Sequence, residues 1–132
     1  RPSYHNDGSV TPPSPLANIK TCVTRTTNSG VERGPEQKVT LDEALRAQTI
    51  HAAFILGREQ EIGSIEVGKF ADFVQLSVDP YAVDPMHLSD GVSVLGTWLS
   101  GEKMDLEAFE KAAGVVDPTP HIHLATLPRK CC

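Results

Sequence analysis

Gly63-Ser64-Ile65-Glu66-Val67-Gly68-Lys69-Phe70-Ala71-Asp72 runs directly into Phe73-Val74-Gln75-Leu76, and the fold turns on how this stretch is read. Gly63 and Gly68 supply positive φ where the backbone reverses. Between them Ile65 and Val67 alternate with Ser64 and Glu66, the period-two pattern of a half-buried strand. Lys69 and Asp72 sit where a surface hairpin exposes them. Phe73, Val74 and Leu76 then make a more buried strand, which Asp79-Pro80 stops. A turn feeds a strand here, and nothing in the stretch demands catalysis.

Working outward, the chain alternates short elements with strong punctuation. Ser3 to Asp7 reads as a short strand and Gly8 to Pro15 as a loop rich in Pro, Ser and Thr. Ser14-Pro15 is a helix start, with Ser as N-cap and Pro at the first helical position. The helix from Leu16 to about Thr26 aligns Leu16, Ile19, Cys22 and Val23 on one stripe. Asn28 to Lys38 is a polar loop. Thr40-Leu41-Asp42-Glu43 is a capping box, opening one helix from Leu41 to Leu56 that Gly57 ends as a C′ glycine. Ile50 and Phe54 widen its apolar face, so it is expected to be buried over much of its circumference. Past residue 76, Asp79 to Asp90 is an irregular connection with two prolines. Val92 to Leu99 is a strand, Ser100-Gly101 a tight reversal into a return strand near Lys103-Met104, and Asp105 caps a short helix through Lys111 that Gly114 closes. A Pro-rich tail with no clear period follows. Read alone, this order is α+β.

The 63–76 stretch resembles a segment near the C-terminus of amidohydrolase-superfamily enzymes, metal-dependent hydrolases built on a (β/α)₈ barrel. The resemblance implies an α/β fragment: the last β/α unit of that barrel plus C-terminal strands of the small β-sandwich beside it. It divides the chain into the end of the barrel (1–57), sandwich strands (58–104), and a short helix with a Pro-rich tail (105–132). A complete barrel takes about 200 residues at least, and 132 are present. The resemblance therefore implies the tail of a larger enzyme, inactive alone, with most of the active site elsewhere.

Tyr4-His5-Asn6-Asp7 is the constellation in which chemistry is expected. Asp7 ends the first strand and is followed by Gly8 and a loop, where barrel enzymes place catalytic groups. In the superfamily the eighth barrel strand ends in an aspartate. Asn6-Asp7-Gly8-Ser9-Val10, with Thr11-Pro12-Pro13-Ser14-Pro15, resembles that site in amidohydrolase family 3, which includes N-acyl amino acid deacylases and formamide deformylases. Many of those proteins have alanine and proline after the aspartate, where Gly8 and Ser9 stand here. The resemblance implies a divalent metal, zinc, which supplies a water acidic enough to attack at neutral pH. It makes Asp7 a metal ligand and the carboxylate that takes a proton from that water and passes it to the departing amine. On the residues alone, Asn-Asp-Gly is also ordinary turn chemistry. His5, two residues earlier, lies on the same side of a strand about 6.6 Å away. It either orients the substrate or the aspartate, or fills a barrel layer.

Other features exclude more than they assign. The net charge is -5 and the basic residues are scattered, which gives no nucleic-acid footprint. No apolar run approaches the roughly 18 residues of a membrane span, and Arg1-Pro2 opens no export signal. Three cysteines without framework spacing argue against a disulfide-stapled module and suit a reducing, cytoplasmic setting. Cys131-Cys132 reads as a metal or redox handle or as an exposed thiol tail. His121-Ile122-His123 has spacing that can grip one Zn²⁺ or is a solvated tail. His51, on a helix, and His87, in a loop, are structural or solvated. No Gly-x-Ser-x-Gly elbow or phosphate loop occurs. Two functional readings stand. One is the C-terminal part of a metal-dependent amidohydrolase acting on C–N bonds of a small amide. The other is a non-catalytic module that pairs its apolar helix and strands with a second copy or with the rest of a barrel.

Overall fold

The computed structural model describes residues 1–6 and 13–112, with the backbone alone at Phe109, Glu110 and Ala112. Four helices and a three-stranded sheet make an α+β arrangement. Helix α1 (Pro15–Thr24) starts as its residues dictate, the Ser14 hydroxyl accepting from the Ala17 N–H at 3.3 Å with Pro15 in the first turn. It ends two residues before the expected Thr26, because Arg25 turns left-handed (φ 56°). The Arg25 carbonyl there accepts from the Arg33 N–H at 2.9 Å, and its guanidinium reaches Gln37 Oε1 at 3.0 Å. Closing this loop outweighs two more residues of helix.

The capping box at Thr40 forms in full. Thr40 N–H donates to Glu43 Oε2 at 2.8 Å, and Glu43 N–H donates to Thr40 Oγ1 at 3.2 Å. These bonds hold the Glu43 carboxyl below its ordinary pKa, the backbone N–H of Thr40 contributing most. The expected single helix over 41–56 is instead two: α2 (Leu41–Gln48) and α3 (Ile50–Ile55), broken at Thr49 (φ −124°, ψ −98°). Nor is it buried all round, since Phe54 is 44 % and Leu56 69 % exposed. Alanines face inward, with Ala44, Ala47 and Ala53 buried. After α3 the Gly57 N–H bonds to Phe54 O and the Arg58 N–H to Ala53 O at 2.9 Å, the paired bonds of a Schellman end.

Residues 63–72 form turns, not the expected alternating strand. Ile65 is 87 % and Val67 107 % exposed. The loop bonds to itself and to its own base, with Phe70 N–H donating to Glu61 O at 2.8 Å. Lys69, expected at the surface, folds inward. Its side chain is only 10 % exposed, and Nζ donates to Ser64 Oγ at 2.6 Å. Gly63 (φ +92°) fits against the break between α2 and α3. A Cβ there would stand 2.7 Å from Ala53 Cβ and 2.9 Å from Ile50 Cα, whereas one on Gly57 (φ +68°) meets nothing within 4 Å. Both positions charge an alanine about 1–2 kcal/mol for the left-handed backbone, but only Gly63 adds overpacking. Gly63→Ala is therefore expected to destabilise by about 1 kcal/mol or more beyond Gly57→Ala, read as the difference in urea midpoint at equal m-value. Equal losses would show that the loop does not press on α3.

Strands β1 (Phe73–Leu76), β2 (Val94–Leu99) and β3 (Glu102–Lys103) pair antiparallel in that order. The register slips between Gln75 and Leu76. Phe73 opposes Trp98, and their rings stack at 4.9 Å and 12°. Trp98 lies over Gly96, where any Cβ would meet the indole at 2.7 Å. The reversal at Ser100-Gly101 has φ of 53° and 83°, the left-handed pair that a two-residue hairpin requires. The 63–72 loop fastens it: Asp72 Oδ1 accepts from Ser100 N–H at 2.7 Å, and Ala71 O from Gly101 N–H at 3.0 Å.

One core joins helices and connector. Leu88 (0 % exposed) and Val92, from the connection between β1 and β2, pack with Ile19 of α1 and Ala44 of α2. Leu16, Val23, Leu45, Leu76 and Val83 close around them. Helix α4 (Leu106–Ala112) begins where Asp105 Oδ1 accepts from Ala108 N–H at 3.0 Å. Gly114, expected to close it, lies outside the described residues.

Candidate functional site

The candidate site lies where residues 1–6 meet α1 and α2. The expected strand over 3–7 is absent from the described part: residues 1–6 have no regular secondary structure. A barrel strand is held by ladders to two neighbours, and among the described residues this segment has no strand beside it. Side chains hold it instead. Asn6 Nδ2 donates to Asn18 Oδ1 at 2.9 Å and Asn18 Nδ2 to Asn6 Oδ1 at 2.8 Å, a closed amide pair. Tyr4 and Cys22, one turn further along α1, lie close enough for each to influence the other's pKa. Gln48 Nε2, at the end of α2, donates to Tyr4 O at 3.4 Å. Arg1 stacks over the Phe54 ring of α3 at 4.4 Å. Residues from three helices thus lay Arg1 to Asn6 across the helical layer.

The electrostatics are mild. Burial pushes Tyr4 and Cys22 upward in pKa, so both stay neutral at pH 7. A neutral, part-buried thiol is a poor nucleophile, which sets Cys22 aside as chemistry. His5 is exposed in this chain. His87 sits in a 3₁₀ turn (Pro85–His87), its Nδ1 3.4 Å from Asp90 Oδ2. His51 lies on α3 with Nδ1 shielded and unbonded, and His5, His51 and His87 are not brought into one cluster. Asp7, His121, His123, Cys131 and Cys132 lie outside the described residues. Among the described residues no group of three or more His, Cys, Asp or Glu is placed to hold a metal ion, and no helix is long and apolar enough to cross a membrane.

Two concavities among the described residues bring together no pair of ionisable side chains. A groove of about 470 Å³ between α3 and the 62–74 stretch is lined by Ala52, Leu56, Ile62, Ile65, Phe73 and Val74, with Asp72 the one carboxylate. That carboxylate is engaged with Ser100. A second hollow of about 280 Å³ beside the end of α1 holds Lys20, Thr21, Thr27 and Asn28. Sequence reasoning missed the Asn6–Asn18 pair. The available signal was a polar, half-buried Asn18 one turn before Cys22, at the margin of the apolar stripe of α1.

The sequence profile of the amidohydrolase family matches residues 1–104. The chain belongs to the amidohydrolase family. An N-substituted formamide deformylase from Arthrobacter pascens is 41% identical over 88 residues, 67% of this chain and 16% of that protein. An imidazolonepropionase from Bacteroides fragilis is 41% identical over 64 residues, 48% of this chain and 15% of that protein. Protein LONG AFTER FAR-RED 3 of Arabidopsis thaliana is 33% identical over 100 residues, 75% of this chain and 17% of that protein. The chain therefore spans 15 to 17% of the length of these relatives. No solved structure matches. Within the amidohydrolase family match lie both the 63–76 stretch and the segment carrying Asp7.

Proposed function

We propose that this chain is the C-terminal part of a metal-dependent hydrolase that cleaves C–N bonds of small amides or formamides. The observation that carries the reading is the 41% identity to an N-substituted formamide deformylase over 67% of the chain. In this reading residues 1–57 complete a (β/α)₈ barrel and 58–104 contribute strands to a β-sandwich. Asp7 takes a proton from the attacking water, returns it to the leaving amine, and is itself a metal ligand. His5, exposed beside it in sequence, contacts substrate. Zinc is the metal proposed. Since the described residues assemble no ligand set, no further ligand is assigned within them.

The sheet supports incorporation into something larger. Val74, Leu95 and Leu99 share one face by strand alternation, and each is 54 % exposed. An antiparallel sheet hides at least one face, and this face needs the rest of the protein, or a second copy, to cover it. A non-catalytic module that uses this face to pair with another chain is the second reading. One experiment separates the two. The longer protein containing this chain is assayed for formate release from an N-alkylformamide, before and after chelator treatment. Turnover that chelation removes and zinc restores is expected. No C–N hydrolysis across a panel of formamides and small amides would leave the non-catalytic module.

A further inference from the structure

Among the described residues the three most exposed large apolar side chains are Val67, Ile65 and Leu56, and they are not scattered. Leu56 and Ile65 line the groove of about 470 Å³ between α3 and the 62–74 stretch, and Val67 follows two residues on in the same loop. Ile65 also borders a second hollow of about 310 Å³ with Phe70 and Phe73. A knob between two apolar hollows is the relief of a surface that interdigitates with another. The loop that carries it is fastened. Gly63 abuts the break between α2 and α3, Phe70 N–H donates to Glu61 O, and Asp72 Oδ1 accepts from Ser100 N–H. Its charges are turned back on the loop itself, Lys69 Nζ donating to Ser64 Oγ at 2.6 Å and to Glu66 Oε1 at 3.2 Å. Glu66, which lies between the two apolar residues in sequence, therefore has its counter-ion within the loop. Covering Ile65 and Val67 leaves no charge unpaired.

Resting on the reading of this chain as the C-terminal part of a longer enzyme, we infer that the 63–72 loop is a docking finger whose Ile65 and Val67 seat in an apolar surface of the preceding part of the same polypeptide. The chain corresponds to 16% of the N-substituted formamide deformylase that it matches, which leaves most of such a protein to supply that surface. A second copy would have to come from solution, whereas a linked surface is present at the effective concentration that chain connectivity sets. A fastened loop gives up little conformational freedom on docking. Apolar side chains held fully in water gain the most from being covered.

The test uses the full-length protein carrying Ile65→Cys or Val67→Cys, with maleimide labelling of the peptide that contains the new thiol followed by mass spectrometry. At both positions labelling is expected to be at least about 100-fold slower in the native protein than in urea, as for a site reached only through local opening. A native rate within that factor at either position overturns the inference. Protection that is lost on dilution, as light scattering shows a dimer becoming a monomer, also overturns it, because the cover is then a second copy. Should a variant fail to fold, hydroxyl-radical footprinting of the unsubstituted protein reads the same two side chains. Oxidation there as fast as in urea overturns the inference too. Formate release from an N-alkylformamide by the same preparation keeps the two ideas apart. Rapid labelling in an active enzyme removes the docking finger alone, whereas protection in a protein that hydrolyses no formamide removes the hydrolytic reading and leaves the docking.

Discussion

Asp7→Asn in the full-length enzyme is expected to reduce kcat by about 10²–10⁴-fold, the contribution of a positioned general acid–base. Asparagine matches aspartate in shape and keeps a carbonyl oxygen, but it cannot accept and return a proton at neutral pH. The defect should therefore appear in kcat, with KM and the melting temperature close to wild type. Asn6 and Asn18 hold each other through two bonds of 2.8 and 2.9 Å, so residues 1–6 should stay docked. Metal content should fall little if the remaining ligands lie elsewhere in the barrel. Formate release at wild-type rates by purified Asp7→Asn protein would end the hydrolytic assignment of this residue.

The largest effect on stability is expected at Leu88. Leu88→Ala should destabilise the chain by about 2–5 kcal/mol. Leu88 is completely buried in a cluster with Ile19, Ala44 and Val92, around which Leu16, Leu45 and Leu76 pack. Leu88→Met, which nearly conserves volume, should cost less than about 1.5 kcal/mol. Urea denaturation of the three proteins measures both numbers. A Leu88→Ala midpoint close to wild type would mean that the 79–92 connection does not plug the α1–α2 layer. The site is coupled to this packing, because α1 carries Asn18 and Cys22 and α2 carries Gln48. Loosening Leu88 should weaken the hold on Tyr4 and Asn6.

The local signals read from the residues held wherever the interaction is itself local. Ser14, Thr40 and Gly57 act as caps because each bonds to backbone groups within three or four residues. Ser100-Gly101 turns the chain because both residues tolerate positive φ. The amidohydrolase family was legible too, in the 63–76 stretch and the run from Asn6 to Pro15. The readings that failed depended on what a residue meets beyond its immediate neighbours. Ile65 and Val67 alternate like a strand, yet among the described residues no strand pairs with them. Leu41 to Leu56 keeps one apolar stripe, but Gly63 presses its backbone against the stretch where the helix breaks. Lys69 reads as a surface charge and is folded into its own loop.

Chemistry at residue level divides along the same line. Periodicity, capping and turn propensity are written into neighbouring residues, so they can be recovered from order alone. The Asn6–Asn18 pair, the Asp72–Ser100 bond and the burial of Leu88 join residues 12, 28 and about 70 positions apart. No local pattern encodes which of many polar or apolar side chains will meet across such distances. Packing α1 and α2 against the 79–92 connection selects Leu88, docking of residues 1–6 on α1 selects the Asn pair, and the seating of the 63–72 loop on the hairpin selects Asp72 and Ser100.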